Sequence, residues 1–197
     1  MGCVCLVEGS ANTGNRKSVL GVYAGLSLDG NVVPEDELQP WIDDALKQIE
    51  FIVGPEDSEW GAKRAEYGHP EPFPLRYVEI GNEDWLAGYP DGWTSYKEYR
   101  LPMFREAILA AYPDMNIVAS GAFNDGDGFD IPEGVIGDYH PYRQPDQFLD
   151  EFDLFDNIAT PHVIGRSCAK HNWSMRRSLT VDVRRGFFDS RQRRDWL

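Results

Sequence analysis

The sequence predicts an α/β fold in which helices cover a parallel sheet. Apolar runs of strand length alternate along the chain with amphipathic runs of helix length, and this alternation is typical of parallel sheets. Polar residues also follow two of the strand candidates directly, at Asn82-Glu83 and at His140. A (β/α)8 barrel places its active site at such strand ends. We therefore favour part of a barrel, and a doubly wound sheet, which obeys a similar rule, stays as the alternative.

Four segments are predicted as strands because they are apolar, β-branched or aromatic and are bounded by glycine or polar residues. The first, LGVYAGL, is followed by Ser27 and Gly30, and the second, LRYVEI, is followed by Gly81. The four strand segments are residues 20–26, 75–80, 116–120 and 134–140.

Three segments are predicted as helices, at residues 35–52, 95–112 and 145–157. The first has Pro34 and several acids at its start, followed by apolar residues at helical spacing, and Pro40 is expected to shift where it begins. Pro102 predicts a bend or a restart in the second helix. Residues 54–74 are predicted as one long loop, and structureless loops of that length are usually functional.

The charge distribution divides the chain into two compositions. The formal net charge of −14 disfavours nucleic acid and anionic membranes as partners. Residues 159–197 hold nine Lys or Arg against three Asp or Glu, a net of +6, which leaves −20 for residues 1–158. Beyond Asn157 no helix or strand period continues. We interpret residues 158–197 as a non-native or disordered tail, with a basic nucleic-acid-binding arm as the alternative.

The cysteines, the apolar runs and the first ten residues bear on three further classes of protein: metal-binding, membrane-spanning and secreted. Cys3 and Cys5 flank a single residue and have no His nearby, so no zinc site or other metal is predicted. With Cys168 the cysteine count is odd, which gives no disulfide framework. No apolar run reaches the length of a membrane span. The opening MGCVCLVEGS has neither the basic region nor the apolar length of a signal peptide. Either the protein is not secreted, or its true N-terminus is absent from this sequence.

Glu83 is the candidate catalytic residue. A carboxylic acid with a raised pKa can protonate a glycosidic oxygen, and Asn82 beside it offers an amide that can hold a sugar hydroxyl. Motifs for other chemistries, such as a Gly-rich phosphate loop, HExxH or GxSxG, are missing from the sequence. From the residues alone, a polar turn after a strand is the competing interpretation of Asn82-Glu83.

A second group of candidates consists of His140, Tyr142 and the tryptophans. An imidazole can orient an acid by hydrogen bonding, and a phenol can touch the same carboxylate if the chain stays extended between His140 and Tyr142. A loop His and a packed Tyr are the alternative. Trp60, Trp85 and Trp93 are candidates for stacking on sugar faces, with core packing expected for at least one of them.

Three longer stretches are similar to one known family. They read WGAKRAEYGHPEPFPLRYVEIGNED, SYKEYRLPMFREAILAAYPDMNIVAS and DYHPYRQPDQFLDEFDLFDN. In order and density they resemble the fungal-type α-L-arabinofuranosidases of glycoside hydrolase family 51, over about residues 20–157. The resemblance implies a retaining glycosidase on a (β/α)8 TIM barrel with an accompanying β-sandwich, of which this chain would hold about strands 3 to 6.

The resemblance also implies a reaction and a set of site residues. The enzyme would release terminal non-reducing α-L-arabinofuranosyl residues from arabinan and arabinoxylan, outside the cell, in L-arabinose metabolism. Glu83 would be the acid/base at the end of the fourth barrel strand, with Asn82, His140, Tyr142 and Trp85 around the substrate. No cofactor is implied, because two carboxylates suffice for the reaction.

The chain departs from this family at both ends. Residues 1–19 do not match, and the strands that should come before residue 20 are missing. The family's nucleophile, a Glu in a Gly-Glu-Tyr-like context, is expected after FDN, yet no Glu follows Glu151. We therefore expect the chain as written to be inactive. A non-catalytic carbohydrate-binding remnant and another retaining barrel glycosidase are the alternatives.

Overall fold

The chain forms one five-stranded parallel sheet in the computed structural model, which describes residues 18–86, 90–123, 129–144, 146–151 and 153–164. The strands are β1 (Val19–Val22), β2 (Tyr77–Ile80), β3 (Asn116–Ala119), β4 (Val135–Tyr139) and β5 (His162–Ile164). The four strands predicted from the sequence are therefore confirmed, each somewhat shorter than its apolar run.

The order of the strands distinguishes between the two architectures that the sequence left open. The strands lie in sequence order from β1 to β5, and every neighbouring pair is parallel. A doubly wound sheet reverses its strand order at a switch point, whereas a (β/α) barrel adds each strand beside the one before it. The sheet is thus wound as part of a barrel.

The fifth strand was not anticipated. His162–Ile164 pairs in parallel with β4, with His162 opposite Gly137. Three residues are too few to show a strand period in the sequence. The boundary expected at residue 157 therefore falls before the last strand of the sheet. The rest of the predicted tail, from residue 165, and the N-terminal segment up to residue 17 lie outside the described residues.

Five helices occur in the described part of the chain: α1 (Gln39–Val53), α2 (Glu59–Glu66), α3 (Pro90–Ser95), α4 (Leu101–Ala111) and α5 (Gln147–Asp150). Pro40 lies in the first turn of α1 and shifts its start, as expected. Pro102 lies in the first turn of α4, which restarts after a π-helical turn at Tyr96–Arg100. The helix predicted for residues 145–157 was too long, since only one turn of it forms.

The prediction of a structureless loop at residues 54–74 was wrong, because α2 lies within it. Ser58 caps the helix by accepting a hydrogen bond from the Gly61 amide at 3.1 Å. Arg64 of α2 is fully buried. Its guanidinium donates to the backbone carbonyls of Phe51, Gly54, His69 and Pro70. Arg64 therefore holds the ends of this segment together and has a structural role.

The two faces of the sheet are covered differently. On the outer face, apolar strand residues such as Val78 and Ile80 pack against the buried stripe of α1, which consists of Ile42, Ala45, Ile49 and Ile52. Burying each isoleucine contributes about 1.5–3 kcal/mol. The inner face has a smaller apolar cluster of Tyr77, Val118 and Ile136, with Val163 packed against it.

The inner face also holds acidic residues. Because side chains alternate along a strand, Glu79 lies on the same face as Tyr77, and Asp138 on the same face as Ile136. The carboxylates of Glu79 and Asp138 therefore lie within the strands, just before the carboxyl ends where the candidate site residues are found. Within the described residues, no helix has the length and apolar composition needed to cross a bilayer.

Candidate active site

Glu83 lies in a tight turn that begins directly after β2. Gly81 has a φ of +84°, and a Cβ at this position would overlap the Asp84 carboxylate, so the turn requires glycine there. Glu83 has a φ of +55° and is the one non-glycine residue with positive φ in the described part of the chain. Such a conformation costs about 1–3 kcal/mol and persists only where the surroundings impose it.

Asp84 fixes this turn from beneath. Its side chain is buried and forms an ion pair with Arg100, with 2.5 Å between Oδ1 and the guanidinium. Its Oδ2 accepts a hydrogen bond from the backbone amide of Asn82 at 3.0 Å. Burial raises the pKa of Asp84, and the Arg100 guanidinium opposes that rise. These contacts give Asp84 a structural role in the turn.

Arg100 joins the Glu83 turn to two other segments. Besides Asp84, its guanidinium donates to the Ala24 carbonyl after β1, at 2.8 Å, and to the Gly92 carbonyl of α3. Its Nε donates to the Ser95 hydroxyl at 3.0 Å. The π-helical turn places this buried cation at the carboxyl ends of β1 and β2, so the backbone beneath Glu83 is held from several sides.

A second set of hydrogen bonds ties the same turn to β3. The Asp84 amide donates to the Ser120 hydroxyl at 3.2 Å, and the Ser120 amide donates to the Tyr96 phenol oxygen at 2.7 Å. Tyr96 in turn donates to the Ile80 carbonyl at 2.7 Å. All of these groups are buried, so each bond satisfies a polar atom that has no access to water.

The Glu83 carboxylate meets His140 and Tyr142, as the sequence predicted. His140 Nδ1 lies 2.9 Å from Glu83 Oε1, and the Tyr142 hydroxyl donates to the same oxygen. The side chain of Glu83 is 15% exposed, and that of His140 is 7% exposed. Asn82 is exposed, and its side chain makes no hydrogen bond to the residues that the structure describes. The structure thus brings an acid, an imidazole and a phenol together at the strand ends.

His140 also contacts Asp138, which the sequence reading missed. His140 Nε2 lies 2.6 Å from Asp138 Oδ2. Burial lowers the pKa of His140, but the hydrogen bond to Asp138, the charge of Asp138 and the hydrogen bond to Glu83 raise it more, to about 9. At neutral pH the imidazole is therefore protonated at both nitrogens. One hydrogen faces Asp138 and the other faces Glu83.

Glu79 is the second acid that the sequence reading missed. Burial, followed by the charge of Asp138 and the hydrogen bond with it, raises the pKa of Glu79 to about 8. Two signals in the sequence pointed to these acids. Asp138, His140 and Tyr142 are spaced by two residues, which places them on one face of an extended chain, and Glu79 is a lone charge inside the apolar run YVEI.

Glu79, Asp138 and His140 form the group in the described residues whose ligand atoms lie close enough together to hold a metal ion. Oxygen or nitrogen atoms of Glu79, Asp138 and His140 lie within 4.8 Å of one another. Both nitrogens of His140 are already within hydrogen-bonding distance of carboxylates. We therefore interpret the cluster as hydrogen-bonded rather than metal-binding.

The three tryptophans predicted as candidates for sugar stacking differ in their surroundings. Trp93 is buried, with its ring stacked on Tyr96 at 5.8 Å and in edge contact with Phe129 at 5.0 Å. It is a core residue. Trp85 is half-buried and packs against the outer-face core. The ring of Trp60 on α2 is covered by the Lys63 ammonium.

One cavity lies beside α4, away from Glu83. It has a volume of about 350 Å³ and is lined by α4 and by the segment around Phe129 and Pro132. None of the candidate site residues lines it. The convergence of Glu83, His140 and Tyr142 is the better guide to function, because it rests on the chemistry of the side chains rather than on empty volume.

Sequential parallel strands with polar side chains gathered at their carboxyl ends are the arrangement of a (β/α) barrel and of its active-site edge. The chain belongs to the family described as the alpha-L-arabinofuranosidase 1 domain, whose family model matches residues 9–160. This match begins ahead of residue 20, where the resemblance was expected to start. The partial (β/α) barrel and the assignment to arabinofuranosidases are thereby confirmed.

Named relatives agree with this assignment. The chain is 43% identical over 160 residues to "Probable alpha-L-arabinofuranosidase A" of Aspergillus oryzae, a match that covers 78% of this chain and 25% of the relative. It is 44% identical over 152 residues to "Alpha-L-arabinofuranosidase A" of Aspergillus kawachii, covering 75% of this chain and 24% of the relative. The chain thus spans about a quarter of the length of these relatives.

A solved structure gives the same result for the fold. An arabinose-bound family 51 α-L-arabinofuranosidase superposes with a TM-score of 0.61 at 34% sequence identity. The superposition covers 72% of this chain and 22% of that protein.

Proposed function

We propose that this chain contains the acid/base half of a retaining α-L-arabinofuranosidase, with Glu83 as the general acid and then the general base. The observation that supports this role is the asymmetry of the Glu83 carboxylate. Oε1 is bound by both His140 and Tyr142, whereas Oε2 makes no hydrogen bond to the residues that the structure describes. Oε2 is the oxygen that remains to hold the transferred proton.

The proposed reaction has two steps. In the first, Glu83 gives its proton to the glycosidic oxygen as the bond from that oxygen to the anomeric carbon breaks and a second carboxylate attacks the carbon. In the second, Glu83 takes a proton from water, and that water releases the sugar from the carboxylate. Asn82, exposed beside Glu83, would hold a sugar hydroxyl, and Trp85 would border the sugar.

The second carboxylate is not provided by the neighbours of Glu83. Asp84 is paired with Arg100, and Asp138 is hydrogen-bonded to His140. A nucleophile must approach the anomeric carbon freely, at about 5–5.5 Å from the acid/base carboxyl. We propose that the nucleophile of the double displacement is a carboxylate outside the described residues.

The proposed substrate is the terminal non-reducing α-L-arabinofuranosyl residue of arabinan or arabinoxylan. The names of the relatives and the arabinose bound in the solved family 51 structure support this choice. Because such polymers lie outside the cell, the full-length protein would act there.

A chimera tests the role of Glu83. Residues 9–160 would replace the matching segment of the Aspergillus kawachii relative, and hydrolysis of an arabino-oligosaccharide and of a dinitrophenyl α-L-arabinofuranoside would be compared. Glu83→Gln should reduce oligosaccharide hydrolysis by about 10²- to 10⁴-fold. The first step on the dinitrophenyl substrate should be much less affected, since that leaving group departs without a proton. The exposed Glu71→Gln is the control. An equal loss in the rate of the first step on both substrates would contradict the acid role, whereas steady-state turnover is expected to fall on both because the second step needs Glu83 as base.

Carbohydrate binding without turnover is the second candidate function for the chain by itself. The pairing of Asp84 and Asp138 with other residues favours it, because it leaves Glu83 without a described catalytic partner. Titration of the 197-residue chain with arabino-oligosaccharides, followed by NMR and by release of arabinose, separates the two. Shifts at Asn82 and Trp85 that survive Glu83→Ala, with no release of arabinose, support binding alone.

A further inference from the structure

A line of hydrogen-bonding groups runs from the inner face of the sheet to Glu83. His140 contacts Glu83 through Nδ1 at 2.9 Å and Asp138 through Nε2 at 2.6 Å. Behind Asp138 lies Glu79, with its carboxylate, that of Asp138 and the His140 ring all within 4.8 Å of one another. Asp138 Oδ1 is buried and has no hydrogen-bond donor assigned to it in the structure.

The surroundings offer Asp138 Oδ1 few sources of a hydrogen. Glu79 is flanked in the sheet by Gly21 of β1 and Val118 of β3, and Asp138 is flanked by Val163 of β5. None of these has a polar side chain.

Other charged and titratable groups near Glu79 and Asp138 contact other residues. Asp84 is held by Arg100, the Tyr96 hydroxyl donates to Ile80, and His162 contacts the Thr160 carbonyl through Nδ1. The Glu79 carboxyl lies in the same cluster as Asp138 and can supply a hydrogen to Oδ1.

We propose that Glu79 and Asp138 are positioning residues for the acid/base: they share one proton, and the resulting carboxylic acid–carboxylate pair keeps His140 doubly protonated, with its Nδ1 hydrogen directed at Glu83. Glu79 donates to Asp138 Oδ1, and Asp138 remains the ionised acceptor for His140 Nε2. The inference rests on the proposed role of Glu83. No proton leaves this line during the reaction, and His140 holds Glu83 Oε1 while Oε2 exchanges its proton.

The electrostatics of the site support this arrangement. Two carboxylates this close in a buried site do not both ionise, so one retains a proton. Burial and Asp138 raise the pKa of Glu79 to about 8. The pKa of His140 is raised to about 9. The pair and the imidazole therefore hold these protons together over the range from pH 5 to about 8.

NMR of the complete chain with ¹⁵N-labelled histidine tests the proposal without any assay of activity. Both ring nitrogens of His140 should be protonated at pH 7. Asp138→Asn should lower the pKa of His140 by about one unit or more. Glu79→Gln should shift it far less, because the glutamine amide replaces the proposed carboxyl donor. His162, whose pKa is lowered by burial, is an internal control in the same spectrum.

A second measurement covers the case in which Asp138→Asn does not fold. Labelled with ¹³C at the Glu side-chain carboxyls, the unmodified chain should show one Glu that titrates near pH 8, and Glu79→Gln should remove that signal. A neutral His140 at pH 7, or a Glu79→Gln shift of His140 as large as that of Asp138→Asn, would overturn the proposal. Failure of Glu83 as the acid in the chimera would leave these spectra unchanged, so the two proposals fail separately.

Discussion

Arg100 and Asp84 form a buried ion pair, with 2.5 Å between guanidinium and carboxylate and both side chains at most 1% exposed. The pair lies directly beneath the backbone of Glu83, and Arg100 also holds the carbonyls of Ala24 and Gly92. A buried charge is costly unless its partners surround it, and here the hydrogen bonds of both ions are satisfied by the segments that form the strand ends. The ion pair therefore links the stability of the sheet to the geometry of the candidate site.

Breaking this pair should strongly destabilise the fold. Arg100→Met leaves the Asp84 carboxylate buried and uncompensated, and we expect a loss of about 3–5 kcal/mol in the free energy of unfolding. Urea denaturation followed by circular dichroism measures the change. Lys63→Met is the matched control. It removes an exposed pair with Glu59 on α2 and the contact of the Lys63 ammonium with the Trp60 ring, and should cost no more than about 1 kcal/mol. Similar losses for the two variants would contradict the structural role of Arg100.

The hydroxyl of Tyr96 provides a more selective test of the same region. Tyr96→Phe keeps the ring stacked on Trp93 but removes the acceptor of the Ser120 amide and the donor to the Ile80 carbonyl. Leaving these buried groups unpaired should cost about 1–3 kcal/mol. Hydrogen exchange should be faster for the Ser120 amide in Tyr96→Phe than in the wild type. Amides in α1 should be less affected. An unchanged Ser120 exchange rate would show that the hydroxyl is not its acceptor.

The sequence predicted the elements that have a local pattern. The four strands were found because they are apolar runs bounded by glycine or polar residues, and the helix α1 was found because its apolar residues recur about every 3.6 positions. Glu83, His140 and Tyr142 were found because polar residues at the ends of parallel strands meet at one edge of the sheet. Their mutual contacts follow from that placement.

The features that the sequence did not predict depend on contacts distant in the chain. Arginine side chains usually lie at the protein surface. Arg64 is buried because four backbone carbonyls from separate turns accept hydrogen bonds from it. The link between Arg100 and Ala24 spans 76 positions. Glu79 and Asp138 lie on different strands, and their proximity depends on the register of the sheet. No local pattern contains this information.

The backbone conformation of Glu83 predicts a conflict between stability and function. At a φ of +55° a residue with a Cβ is strained by about 1–2 kcal/mol relative to glycine. We therefore expect Glu83→Gly to be more stable than Glu83→Ala by about 1 kcal/mol, although both lack the carboxylate. Thermal denaturation of the two variants compares them directly. A Glu83→Gly chain no more stable than Glu83→Ala would mean that the turn relaxes in solution.

The stability of the chain should fall as pH rises from about 5 to 9. The folded chain holds a proton on Glu79 up to a pKa of about 8, whereas an ordinary glutamate releases it at 4.5. The contribution of this proton to the free energy of unfolding is fully present below pH 4.5 and is lost as the pH rises through 8. His140 acts in the same direction between its ordinary value of 6.5 and about 9.

Replacing Glu79 should remove its share of this pH dependence. In Glu79→Gln, the free energy of unfolding should match wild type at pH 5 and exceed it by on the order of 3 kcal/mol at pH 9. The reason is that glutamine does not ionise, so the variant never places a second negative charge beside Asp138. Urea denaturation at pH 5, 7 and 9 gives the curves, and Glu71→Gln, at an exposed position, controls for the loss of one negative charge. Parallel curves for wild type and Glu79→Gln would show that Glu79 is already ionised at pH 5.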